Sequence, residues 1–562
     1  MGRIAAIPVL SIAAVMVAGL IPQGVSAQRQ RLRSPWDGLQ ITPGDAPCSC
    51  PAPPAFASTI SAEGYYTDKQ YSIIDPQKLA AFNEASAGPT HLGQFTTRAA
   101  DEYRSQGSRA AANCVYSLLT AAAAADAWDG KMPGNNGVYL QNWMLSATAI
   151  AYLKVRNSGA GTAQEDAAIQ EWFRRVAARV HEYFEDQTAR PGSDAWNNHM
   201  DWAGLALAAQ GVADNDAEAL LWGIAAYRLG IDAIQPDGSL PAEMARGQMA
   251  LHYQLYALGA LVMLAELGEA NGVPMYAQRE GAIHRLVRFD VAAMRDPGII
   301  AKRTGVAQNI ARTYSGLEIG WALPYVRRFP NPELSALIAQ SSWPNFWQWG
   351  GAPPAVGDAS VDPTTAATAF LRSSSQRLNQ ELAAAFPPPS AGSPLIGAWC
   401  VQGDPSARAS IRIEQDAFAL TNENGANALA ESPKPSLLLT PAWLGVQGDL
   451  SPDQTQIDWN NGTYWMRCTA RPLAKLPRLT GAWIAMGERN KPCSIQAHGH
   501  DLLLDNGLGA TGTGHIDDHG QIVSNWNGHR ILGQLTADGN HIHWDNRTYW
   551  TRATVYVPST SE

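Results

Sequence analysis

From about residue 76 to residue 329, apolar side chains recur at intervals of three and four with few interruptions. No other feature limits the available folds so tightly, because this period belongs to helices that bury one stripe or more. Helical segments are expected at 108–128, 139–155, 163–185, 217–234, 240–267 and 279–294. Stop signals such as Asn157-Ser158-Gly159 and Gln235-Pro236-Asp237-Gly238 separate them. Alternating runs are scarce. Many helices joined by short connections pack as antiparallel neighbours, in a bundle, a solenoid or a closed toroid.

The pattern changes after residue 341. Trp, Gly and Pro dominate 341–363, one more helix is expected at 364–385, and Phe386-Pro387-Pro388-Pro389-Ser390 marks a linker that no helix can cross. Two copies of one repeat follow. Gly397-Ala398-Trp399, Trp443, Asp458-Trp459 and Tyr464-Trp465-Met466-Arg467 return as Gly481-Ala482-Trp483, Trp526, His543-Trp544 and Tyr549-Trp550-Thr551-Arg552, offset by about 84 residues. Short alternating runs bounded by Gly, Asn and Asp read as strands and turns. The chain therefore divides into an N-terminal arm (28–75), a helical domain (76–386), a linker (387–394) and two small all-β domains (395–470 and 478–556), each a sandwich or barrel.

At the N-terminus, Arg3, an apolar stretch over 4–20 and Val25-Ser26-Ala27 have the form of a secretory leader, which predicts removal of 1–27 and a periplasmic or secreted protein. No later stretch is expected to be long and apolar enough to cross a bilayer. Export permits disulfides among the six cysteines, and one of Cys48 or Cys50 is expected to bridge to Cys114. None of the cysteine spacings reads as a zinc site. His541 and His543 share one strand face and read as solvated positions. A net charge of -9 gives no support for nucleic-acid binding. It also means that attraction for a polyanion must come from a local cationic cleft.

Two segments carry the chemistry: Trp196-Asn197-Asn198-His199-Met200-Asp201-Trp202, and Leu240-Pro241-Ala242-Glu243-Met244-Ala245-Arg246 continuing to Ala250-Leu251-His252-Tyr253. Read as one helix, the second segment would put Arg246 and Tyr253 on one face, two turns and ~10 Å apart. Cation, phenol, amide and imidazole together suit β-elimination from a 4-linked uronate. Removing the C5 proton builds charge onto a carboxylate that is already anionic, so Arg, Asn and His must neutralise it. A base must reach C5 and an acid must protonate O4. Arg246 beside Tyr253 would favour the phenolate. Asn197 is expected to cap a helix, Glu243 to hold Arg246 as its i+3 neighbour, and His252 to be structural.

These two segments resemble those of the alginate lyases of polysaccharide lyase family 5, the mannuronate lyases, which carry Asn-Asn-His followed by Trp, then Leu-Pro-x-Glu-x-x-Arg and Ala-Leu-x-Tyr. Looser similarity runs from Tyr65-Tyr66-Thr67-Asp68 to about Tyr325 and covers neither β repeat. The resemblance implies an (α/α) toroid with a deep cleft and elimination without metal or cofactor, acting on an acidic polysaccharide as a monomer. It implies that Asn198 and Arg246 neutralise the carboxylate, that His199 neutralises or acts as base, and that Tyr253 is acid and base. Residues 65–75 would be a lid bringing Tyr66 to the substrate. Trp143 and Trp202 are candidate sugar platforms, with core packing the alternative. Asp201 stands where that family has an aromatic residue; a carboxylate in the cleft would repel a uronate or select another sugar. Two other functions remain open: a glycoside hydrolase using two of Asp201, Asp237 and Glu243, and a polysaccharide-binding protein using the β repeats.

Overall fold

The computed structural model describes residues 31–353 except 38–40, 311–312 and 342–345, then residue 380, then 387–553 except 405–406, 415, 469–478, 486–491, 499–500, 508, 517–520, 527–528, 537–539 and 545–547. The leader at 1–27 and, apart from residue 380, the helix expected at 364–385 lie outside the described residues.

The helical domain runs α1 (Pro76–Ala85), α2 (Ala87–Gln106), α3 (Arg109–Ala124), α4 (Asn135–Val155), α5 (Ala163–Thr188), α6 (Asn198–Asp214), α7 (Ala217–Asp232), α8 (Pro241–Met244), α9 (Ala250–Ala270) and α10 (Gln278–Arg295). Four short helices follow between Gly298 and Gln340. Helices α2, α4, α6 and α9 pack side by side in chain order, and α3, α5, α7 and α10 pack outside them. The result is a two-layered α/α toroid-like domain. Hydrophobic patterning sorts the layers. α4, α6 and α9 are buried on almost every residue, as helices apolar all round must be. α5 buries one stripe (Ile169, Trp172, Phe173, Val176, Val180, Phe184) and exposes the rest. Neither α2 nor α6 was among the segments expected from periodicity. α6 lacks a polar face, so its pattern shows no amphipathic period.

Two expectations are corrected here. The continuous helix over 240–267 is broken, with α8 ending at Met244, a 3-10 turn at Gly247–Met249 and α9 beginning at Ala250. Gly247 has φ +54, a left-handed conformation that glycine adopts at little cost and that interrupts the run of right-handed helix. The segment Gly247–Ala270 is, by length and composition, apolar enough to span a bilayer, contrary to expectation. It passes that test because α9 is the buried inner helix of this domain.

Each repeat forms a closed barrel of eight antiparallel strands in up-and-down order. Closure pairs Trp399 with Arg467 in the first barrel and Trp483 with Arg552 in the second. It also removes the free edges that a small sandwich would expose. Trp399, Phe418 and Leu420 fill the first barrel, and Trp483, Leu502 and Leu504 the second. Cys400–Cys468 joins the ends of the first barrel, and Cys50–Cys114 ties the N-terminal arm to α3.

The first barrel is fastened to the helical domain by buried charge. Arg279, at the start of α10, donates to Asp232 (2.6 Å) and Asp416 (2.5 Å) and also to Glu431, which in turn accepts from Arg228 (2.8 Å). Burial and the nearby Asp232 push the Glu431 carboxyl up to about 7. Arg279, Glu280 and Gly281 all take left-handed backbone, an arrangement costly for non-glycine residues that this anchored guanidinium holds in place.

Candidate active site

The site forms where the N-terminus of α6, the α8–α9 junction and the 65–75 segment meet. Asn197 caps α6. Its Oδ1 accepts the backbone N–H of His199 (2.9 Å) and lies 2.7 Å from His199 Nδ1. An oxygen already accepting one N–H assigns the ring hydrogen to Nδ1, leaving the Nε2 lone pair free. Burial and the positive charge of Arg246 lower the His199 pKa to about 4 against the opposing pull of Asp194, so the ring is neutral over the ordinary pH range. Tyr139 of α4 lies against the imidazole, centroid to centroid 3.9 Å.

Asn198, the first residue of α6, is fully buried. Its backbone N–H and Nδ2 both donate to Oε1 of Glu243 (2.8 and 2.9 Å). Glu243 therefore holds Asn198, and not Arg246 as the i+3 spacing suggested. Asn198 Oδ1 and Glu243 Oε2 have no partner among the described residues.

Arg246 does not lie on the helix of Tyr253, because the left-handed Gly247 intervenes. The turn instead brings the guanidinium over the phenol, 3.6 Å from its centroid, with the Tyr71 ring also near at 5.3 Å. The expected ~10 Å offset is thus replaced by direct stacking. Arg246 is half-buried yet makes no hydrogen bond or ion pair among the described residues. Tyr253 Oη is 2.6 Å from Tyr66 Oη. Arg246 and Tyr66 do favour the phenolate, but burial outweighs them and pushes Tyr253 up to about 12. The expected net shift toward phenolate is corrected on that ground, since desolvation penalises the charged form.

Residues 65–75 form a small hairpin over this pair. Thr67 N–H donates to Ile73 O (2.9 Å), Asp75 N–H to Tyr65 O (2.8 Å), and Gln248 Nε2 ties the hairpin down through Ser72 O (2.8 Å). Asn198, His199, Arg246, Tyr253 and Tyr66 thus share one neighbourhood.

Two candidates fall outside it. Trp202 is completely buried among Tyr256, Phe346 and Trp349, so it is core and no sugar platform. Asp201 faces α7, where a Cβ on Gly230 would lie 2.4 Å from its Oδ1. It is buried behind Asn198 and cannot meet a uronate in the cleft. Burial and the nearby Glu243 raise its pKa well above the ordinary carboxylate value. Trp143, half-buried beside Tyr139 and Tyr256, keeps a position near the site.

Sequence reading missed Tyr139, Asp194 and Tyr71. Tyr139 precedes Trp143 by one helical turn, a spacing that could have revealed it. Tyr71, left-handed and exposed, carries no signal in the sequence.

The alginate lyase family matches residues 59–300. A polysaccharide lyase of Stenotrophomonas maltophilia (strain K279a) is 42% identical over 263 residues, which cover 46% of this chain and 77% of that protein. An alginate lyase of Pseudomonas syringae pv. syringae (strain B728a) is 30% identical over 293 residues, covering 51% and 76%. Among solved structures, alginate lyase A1-III complexed with a tetrasaccharide is similar at TM-score 0.48 and 23% identity, covering 57% of this chain and 88% of that one.

Proposed function

The chain belongs to the alginate lyase family and is a polysaccharide lyase, and from that premise we propose that it cleaves a 4-linked uronate polymer, mannuronate-rich alginate foremost, by β-elimination to unsaturated oligosaccharides. The observation that carries this reading is Arg246, a half-buried guanidinium stacked on Tyr253 whose donors have no partner among the described residues. Such a cation lacks an anion, and a uronate carboxylate supplies one with matching geometry. Asn198 Nδ2, oriented by Glu243, adds a second donor. Together they stabilise the charge that builds on the carboxylate as C5 loses its proton.

Proton transfer divides between two residues. Tyr253 is a phenol at rest, ready to protonate O4. When proton and leaving group lie on one face of the sugar, the phenol first releases its own proton to solvent; the phenolate then accepts H5 and returns that proton to O4. Tyr66 and Arg246 ease formation of that phenolate. When the two lie on opposite faces, neutral His199 with its free Nε2 is the base and Tyr253 the acid.

The hydrolase reading loses its carboxylates. Asp201 and Glu243 are buried behind Asn198, and Asp237 is paired with Arg303 (2.6 Å) away from them. Two disulfides and the leader support a periplasmic or secreted enzyme, acting as a monomer.

The test is incubation with mannuronate-rich alginate, guluronate-rich alginate and polyglucuronate, following the ultraviolet absorbance of a C4–C5 double bond. Tyr253→Phe is expected to abolish that absorbance with the melting temperature unchanged. New reducing ends without absorbance would refute elimination.

A further inference from the structure

The match to the alginate lyase family ends at residue 300, yet the first barrel reaches the back of the site. The contact is a knuckle, the 3-10 turn Pro441–Trp443 followed by left-handed Leu444 (φ +54) and Gly445 (φ +76). Gly445 lies directly under the indole of Trp196, so close that a Cβ there would fall 2.0 Å from ring atom Cε2. Leu444 O accepts the N–H of Gly192 (2.7 Å), and Gln447 Nε2 donates to Thr188 O (3.0 Å). The barrel thereby grips both sides of the loop between α5 and α6.

That loop leads straight into the catalytic segment. Trp196 immediately precedes Asn197, the cap that fixes the His199 tautomer. Asp194, in the same 3-10 turn as Trp196, accepts a hydrogen bond from Tyr183 (2.7 Å) and faces Tyr139, the ring that lies against His199. Pro441 also closes the small cavity behind Asn198, Asp201 and Glu243. The buried Arg279–Glu431 network makes the grip rigid.

We propose that the first barrel is a positioning element of the lyase site, with Gly445 and Trp196 as positioning residues that hold the start of α6 so that Asn198 and His199 meet the substrate in register. The assignment of Asn198 and His199 rests on the function proposed above; the mechanical grip does not. Misplacement of a reacting group by about 1 Å can cost on the order of a hundredfold in rate, so the grip should be read in turnover.

The deciding comparison is Gly445→Ala against Gly425→Ala in the full chain. Both glycines have φ +76 and both lie in the first barrel, but a Cβ at Gly425 meets nothing within 4 Å. Gly445→Ala is expected to speed hydrogen–deuterium exchange across 194–202 and to lower kcat on mannuronate-rich alginate by about tenfold or more, with KM within about twofold. Gly425→Ala is expected to change neither. Should Gly445→Ala not fold, Trp196→Phe is expected to give the same faster exchange. Parental exchange in the folded variant, or equal losses in Gly425→Ala, overturns the proposal. If no uronate polymer yields unsaturated product even with the parent enzyme, the functional reading falls, while exchange still decides whether the barrel positions α6.

Discussion

Three arginines in the described residues lie within 4.4 Å of an aromatic ring centroid, with two opposite consequences. In the first barrel Arg467 stacks on Trp399 at 4.0 Å and donates to the carbonyls of Ile396 (2.8 Å) and Pro394. The second barrel repeats the stack with Arg552 on Trp483. In the helical domain Arg246 stacks on Tyr253 at 3.6 Å and donates to nothing described. Stacking on a ring is common to all three. The difference lies in the remaining donors: those of Arg467 are taken up by backbone carbonyls, and those of Arg246 have no partner among the described residues. Local rules are kept in the barrels and broken at the site, as expected where stability yields to function.

The sharpest way to break this comparison is to truncate both kinds of arginine. Arg246→Ala is expected to reduce kcat/KM for alginate by about a thousandfold or more, with the melting temperature held. Arg467→Ala is expected to do the reverse, lowering the melting temperature while leaving turnover near parental. Matching losses in the two variants would erase the distinction.

Glu431→Gln tests whether buried charge that is satisfied serves only attachment. Removing one partner of a buried ion pair typically costs about 3 kcal/mol. Because this carboxyl is pushed up to about 7, above its ordinary 4.5, its contribution is lost as pH rises through 7, so the destabilisation should be greater at pH 6 than at pH 8. Thermal unfolding at the two pH values measures it.

A smaller effect concerns His199. Its folded pKa of about 4 lies below the ordinary 6.5, so the unfolded chain binds the extra proton first. Its contribution is fully present above pH 6.5 and is lost as pH falls toward 4. His199→Gln should flatten the dependence of unfolding on pH in that window. The smallest effect is expected of Asp201→Asn. A buried carboxyl that faces α7 exchanged for an amide of the same size should leave kcat/KM within about threefold. A large rise in affinity for alginate would instead mean that Asp201 does repel the substrate.

The helices of the outer layer, the duplication and the capping Asn197 were legible because each is written in neighbouring residues. The α8–α9 break was missed although Gly247 stood in plain view, since a lone glycine within a long apolar run is tolerated in many helices. The joining of Arg246 to Tyr253 followed from that break. Trp202 and Asp201 were misjudged for a shared reason: proximity to His199 in sequence says nothing about which side of a fully buried helix a residue faces.

By itself the sequence determined periodicity, turn chemistry and residue inventory, and with them a layered helical domain, two β repeats and a set of groups fit for elimination. Tertiary structure alone decided the rest: Glu243 on Asn198 across 45 residues, Tyr66 on Tyr253 across 187, and Glu431 on Arg228 across 203. Helix and strand periods are set by bonds within a few residues. Those longer pairings are set by which faces meet when the layers close, and no short stretch of chain carries that information.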